Sequence, residues 1–81
     1  MVLNNRGLAY YRNGQDTKAL ADLDRAISAA PDDASYRTNR YLVRTHAGMS
    51  RAAQEDLEAA CRLGAQAACA ELGKPAPGAS D

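Results

Sequence analysis

Residues Asn4 to Asp33 read NNRGLAYYRNGQDTKALADLDRAISAAPDD, a run rich in alanine and poor in large apolar side chains. Small and apolar residues recur at helical spacing, with Leu3, Gly7, Tyr10 and Tyr11 in one segment and Ala19, Leu20, Leu23, Ala26 and Ile27 in the next. Asn13-Gly14 stops the first segment, because glycine accepts a left-handed backbone without steric penalty. Asp16 or Thr17 is then expected to cap the second, and Pro31 with Asp32 and Asp33 to end it. The run therefore predicts a helix, a turn and a second helix.

Working outward, a shift of 34 places lays residues 5–26 of this run on NRYLVRTHAGMSRAAQEDLEAA, residues 39–60. It pairs Asn5 with Asn39, Arg6 with Arg40, Leu8 with Leu42, Gly14 with Gly48, Ala19 with Ala53, Asp22 with Asp56, Leu23 with Leu57 and Ala26 with Ala60. Eight identities in 22 aligned positions make an internal repeat. The second unit follows the same plan: Asp33 or Ser35 starts a helix, Ala47-Gly48 ends it, Ser50 caps the next, and Gly64 closes that one. A shorter helix over about 65–72 stops at Gly73. The tail KPAPGASD offers nothing to bury and is expected to be disordered. The organisation predicted is one domain over 1–73, with repeat one at about 1–33, repeat two at about 34–64 and a capping helix at about 65–73, followed by the tail 74–81.

Composition limits what such a chain can do. Its 81 residues make one small domain with a thin core. Ten Lys plus Arg balance ten Asp plus Glu, which argues against a nucleic-acid binder. No apolar run is long enough to cross a bilayer, and MVLNNRGLAYY lacks the basic-then-apolar layout of a signal peptide. The chain is read as soluble. Its compartment stays open, since an export signal removed upstream would leave the same sequence. Two cysteines and a single histidine make a structural metal site unexpected, and no cofactor is called for.

The first unit resembles the tetratricopeptide repeat, a 34-residue helical hairpin. Leu3, Arg6, Gly7, Tyr10, Ala19, Leu23 and Pro31 fall on the seven places of its pattern; four match outright, Leu3 and Leu23 are apolar substitutes, and Arg6 departs. The second unit keeps Ala53, Leu57 and Ala60 but sets Arg37, Arg40, Tyr41 and Arg44 on the first-helix places. The resemblance implies an all-α, right-handed α-solenoid of two such hairpins plus a C-terminal capping helix, serving as a non-catalytic interaction module. The stretch ACRLGAQAACAELG, residues 60–73, also resembles the ends of Sel1-like repeats, some of which join cysteines at this eight-residue separation. For Cys61 and Cys69 two readings stand side by side: a disulfide across the Gly64 turn in an exported parent, or two small buried thiols in a reducing compartment.

The resemblance nominates a concave groove lined by the first helix of each hairpin. Its residues would be Asn4, Asn5, Leu8, Tyr11 and Arg12 in the first unit and Thr38, Asn39, Leu42, Thr45 and His46 in the second. Leu8, Tyr11 and Leu42 would give apolar contact, while Asn5, Asn39 and Arg12 would orient a bound peptide or helix. Local hydrogen bonding is the competing account of the asparagines. A chaperone-tail carboxylate is not expected, because Asn4 stands where the family's clamp has lysine and Leu8 where it has asparagine. The alternative function is structural, with self-association or the capping of a longer array through the end faces.

Arg37, Arg40, Arg44 and Arg51 form the one marked charge stripe. It is read as structural, pairing with Glu55, Asp56 and Glu58 on the facing helix, rather than as an anion patch. Arg6 with Asp22 and Arg40 with Asp56 stand one period apart, which suggests an ion pair repeated within each hairpin. His46 lacks a nucleophile and a carboxylate spaced for catalysis and is read as a surface histidine near a helix end.

Overall fold

In the computed structural model, residues 2–73 are described, and they form five helices and no strand among them. The helices are α1 (Val2–Arg12), α2 (Asp16–Ala29), α3 (Ala34–His46), α4 (Ser50–Arg62) and α5 (Gln66–Leu72). They stack as a helical-repeat solenoid, with α1 against α2, α3 against both α2 and α4, and α5 against α4. The stack is elongated, about 41 × 25 × 16 Å. The expectation of a disordered tail over 74–81 lies outside the described residues.

The turns inside the repeats close in one way. Gly14 has φ +76°, its N–H donates to Tyr11 O at 3.0 Å, and the Gln15 N–H reaches Tyr10 O at 2.8 Å. This double closure satisfies two carbonyls that the helix end leaves orphaned. The pattern recurs around Gly48, where Met49 N donates to Arg44 O, and around Gly64, where Ala65 N donates to Ala60 O. It also corrects two caps. Gln15 and Met49, not Asp16, Thr17 or Ser50, occupy the N-cap positions, and neither makes a side-chain cap bond. The closure leaves a single residue between glycine and helix, so the cap falls there and the polar residue is drawn into the first turn. Between the hairpins Asp33 does cap α3, accepting from Ser35 N at 2.9 Å.

Small residues let the first hairpin close tightly. A Cβ on Gly7 would stand 3.1 Å from Leu23 Cγ and 3.3 Å from the Ala19 carbonyl oxygen. Ala19, Leu23 and Val43 share one buried cluster, and Ala26, Ile27 and Tyr36 share a second. In both, α3 contributes the residue that ties the second hairpin to the first. Fully burying a side chain such as Leu23 or Val43 is worth about 1.5–3 kcal/mol, so these few contacts carry much of a thin core. The third cluster joins Leu57, Ala60 and Cys61 of α4 to Ala68 and Cys69 of α5, with Tyr41 packed against it. Tyr41 stands one period after Gly7, so at the place where the first hairpin carries a glycine the second carries a ring packed on the Leu57 cluster.

Candidate functional site

Each hairpin is fastened by an arginine and a buried aspartate sixteen residues apart. Arg6 Nε and Nη2 donate to the two carboxylate oxygens of Asp22 at 2.7 and 2.8 Å. Those bonds hold the Asp22 carboxyl below its ordinary pKa, against a burial that pushes it up, and raise that of the Arg6 guanidinium. One period on, Arg40 Nε and Nη2 grip Asp56, and the bonds to Asp56 likewise raise the pKa of Arg40. Arg44, in the place of Tyr10, adds a third donor to Asp56 at 2.8 Å. Arg37 turns to the Pro31 carbonyl. Of the acidic residues proposed on α4, Asp56 takes both Arg40 and Arg44, so the centre of the stripe is internal to the fold.

The ten residues nominated for a groove lie on α1 and α3. Asn39 Nδ2 donates to Asn4 Oδ1 at 2.9 Å and joins the two helices near one end. Asn5, the period-mate of Asn39, is exposed. Two turns along, the Tyr11 and His46 rings meet edge-on with centroids 5.5 Å apart, and His46 Nδ1 lies 2.7 Å from Asp16 Oδ2. Leu8 is half-buried, while Arg12 and Thr45 are exposed. Thr38 donates to its own helix at Ala34 O. Leu42 leaves 42% of its surface in water.

Beside Leu42 the surface is concave. A cleft of about 300 Å³ runs between α3 and α5, bounded by Thr38, Tyr41 and Leu42 on one wall and Ala67, Ala68 and Glu71 on the other. A second, of about 380 Å³, lies past Thr38 and includes Asn39 and Leu63. The helix read from sequence as a cap thus also forms a wall, and neither Ala67 nor Glu71 stood among the nominated residues. One period back from them stand Asp33 and Arg37, neither of them nominated for the groove, so the repeat did not point to them. The Asp24 bond to Arg40 Nη1, 2.8 Å, was missed as well, although sixteen residues separate it from Arg40 as they separate Arg6 from Asp22.

Cys61 and Cys69 place their sulfurs 2.05 Å apart, a bonding distance, with Cα atoms at 4.7 Å. Among the described residues no group of three His, Cys, Asp or Glu side chains is placed to hold a metal ion, and no helix is long and apolar enough to cross a membrane.

Comparison with known proteins agrees with the hairpin geometry. The family model of the tetratricopeptide repeat matches residues 1–33, the first hairpin, and the match does not extend to residues 60–73. No curated protein and no solved structure matches the chain. The matched segment is similar to that repeat.

Proposed function

We propose that this chain is a non-catalytic protein-interaction module that receives an extended peptide or a partner helix along α3, in the cleft between α3 and α5. The observation that carries the reading is Leu42, a large apolar side chain two-fifths exposed at the lip of that cleft. Exposed apolar surface beside a concavity gains most when a partner removes it from water. Leu8 and Tyr11 extend the apolar contact on α1. The Asn4–Asn39 pair keeps unused hydrogen-bonding capacity for a peptide backbone, with Asn5 and Arg12 exposed beside it. The decisive experiment selects peptides from a random display library on the full chain. Leu42→Asp should weaken the selected binders at least tenfold without changing the helical circular dichroism. Binding indifferent to Leu42→Asp and to Tyr11→Ala would refute the groove.

The closed form of this site depends on α5, a helix of seven residues with no side-chain N-cap. We infer that a Cys61–Cys69 disulfide holds α5 on α4 in an oxidising compartment, in line with the Sel1-like resemblance of 60–73. A short bridged loop of this kind is worth about 2–3 kcal/mol. Two free thiols in natively purified chain, counted without reductant, would contradict it.

A further inference from the structure

Glu71 holds on α5 the place that Asn39 holds on α3. α5 begins at residue 66 and α3 at residue 34, and each is seated with its third residue, Ala68 or Tyr36, buried. Counted from those starts, Glu71 and Asn39 are both sixth. Asn39 Nδ2 meets Asn4 Oδ1 across the crossing of α1 and α3. The residue one period after Asn4 is Thr38, which lines the α3–α5 cleft together with Glu71. Its hydroxyl donates to Ala34 O instead, so the amide bond of the first crossing has no counterpart at the second.

Basic side chains do not reach Glu71 either. α5 carries none, and those of α3 are turned to other partners: Arg37 to the Pro31 carbonyl, Arg40 to Asp56 and Asp24, Arg44 to Asp56, and His46 to Asp16. Glu71 is exposed and has no ion-pair partner among the described residues. Of the seven residues lining the cleft it is the charged one, set among Tyr41, Leu42, Leu57, Ala67 and Ala68.

We propose that the cleft selects a short linear segment of another protein in which an aliphatic residue stands beside a lysine or arginine. The aliphatic side chain would lie against Tyr41, Leu42 and Ala67, and the cation would reach the Glu71 carboxylate. The apolar contact supplies most of the affinity. The charge discriminates among apolar segments, because an acidic residue at that place would set two carboxylates together. This specificity rests on the α3–α5 cleft being the binding site proposed above.

The test selects peptides from a random display library on the full chain and on its Glu71→Lys variant. Every protein used also carries Lys74→Gln, because Lys74 stands three residues after Glu71 and its charge is kept out of the comparison. With Glu71 present, the binders should share an aliphatic residue and a lysine or arginine at fixed spacing; on Glu71→Lys an acidic residue should take the place of the cation. Replacing that cation by glutamine in one selected peptide should weaken binding about threefold to fivefold with Glu71 in place and leave it unchanged with Glu71→Gln. Binders that need Leu42 but share no cation, or that bind Glu71→Gln as tightly, would overturn this specificity and leave the groove standing. A library without binders, or binders indifferent to Leu42→Asp, would remove both. A dimer of the chain that Glu71→Lys converts to monomer would overturn the partner named here in favour of a second copy.

Discussion

Arg6 and Arg40 occupy the same place in their hairpins and grip the same aspartate, yet half of the Arg6 side chain is in water and Arg40 is nearly enclosed. Neighbours account for the difference. Arg40 lies between two hairpins and beside Arg44, so Asp56 is held by two arginines and Arg40 by two aspartates. Arg6 lies at the outer edge, where the Tyr10 ring stands in the place of Arg44, with its centroid 5.9 Å from the guanidinium carbon. A repeated motif thus works as an inter-hairpin lock where it is sandwiched and as a single clasp where it is not.

The largest expected break in this comparison is Asp56→Asn. It leaves Arg44 without its carboxylate and Arg40 with Asp24 alone, and removing one partner of a buried ionic cluster costs about 3–5 kcal/mol. The partial water access of Arg40 and Arg44 argues for the lower end, about 3 kcal/mol, measured by urea unfolding. Asp22→Asn, its period-mate, should cost clearly less, because Arg6 can turn to solvent; equal losses would mean that the setting of the pair is irrelevant.

Gly7→Val comes next. The new side chain meets Leu23 and the Ala19 carbonyl, and forcing extra atoms into a packed contact costs about 1–3 kcal/mol. The equivalent place in the second hairpin, Tyr41, already holds a ring. Unchanged unfolding of Gly7→Val would show that the two hairpins close alike.

Acid sharpens the comparison further. The folded-state pKa of Asp22 is depressed, so its contribution is fully present above the ordinary carboxylate pKa and is lost as pH falls through the folded value. The unfolding midpoint should therefore fall below the carboxylate range, and Asp22→Asn should flatten part of that acid limb while leaving the pH 6–8 region level; an identical acid limb would remove Arg6 as its cause. The smallest effect is expected from Asp24→Asn. Its pair with Arg40 is exposed on the aspartate side, and such pairs are worth about 0–1 kcal/mol. A loss well above this would make the inter-hairpin bond a main tie of the stack.

Much of this architecture was legible in the chain. The 34-residue shift located both hairpins, and the sixteen-residue spacing from Arg6 to Asp22 and from Arg40 to Asp56 marked the pairs that the structure contains. The candidate site was legible only on one wall. Leu42 was named from its place in the repeat, but the period-mates of Ala67 and Glu71 are Asp33 and Arg37, which were read as a helix start and as part of a structural charge stripe, so neither marked a groove wall. Asn39 was named from the repeat as a peptide-orienting residue with local hydrogen bonding as the competing account, and its bond to Asn4 is set by the crossing of α1 and α3, which periodicity does not encode.

By itself, then, the sequence determined the elements: helical spacing set the apolar faces, the glycines set where the helices stop, and the period set which residues play equivalent parts. Those are local properties, fixed by backbone geometry over a few residues. Only the tertiary structure decided which equivalents are buried and which are bare, because burial depends on the helix next door. Val2 and Tyr36 share a register, and packing against α2 is what separates them.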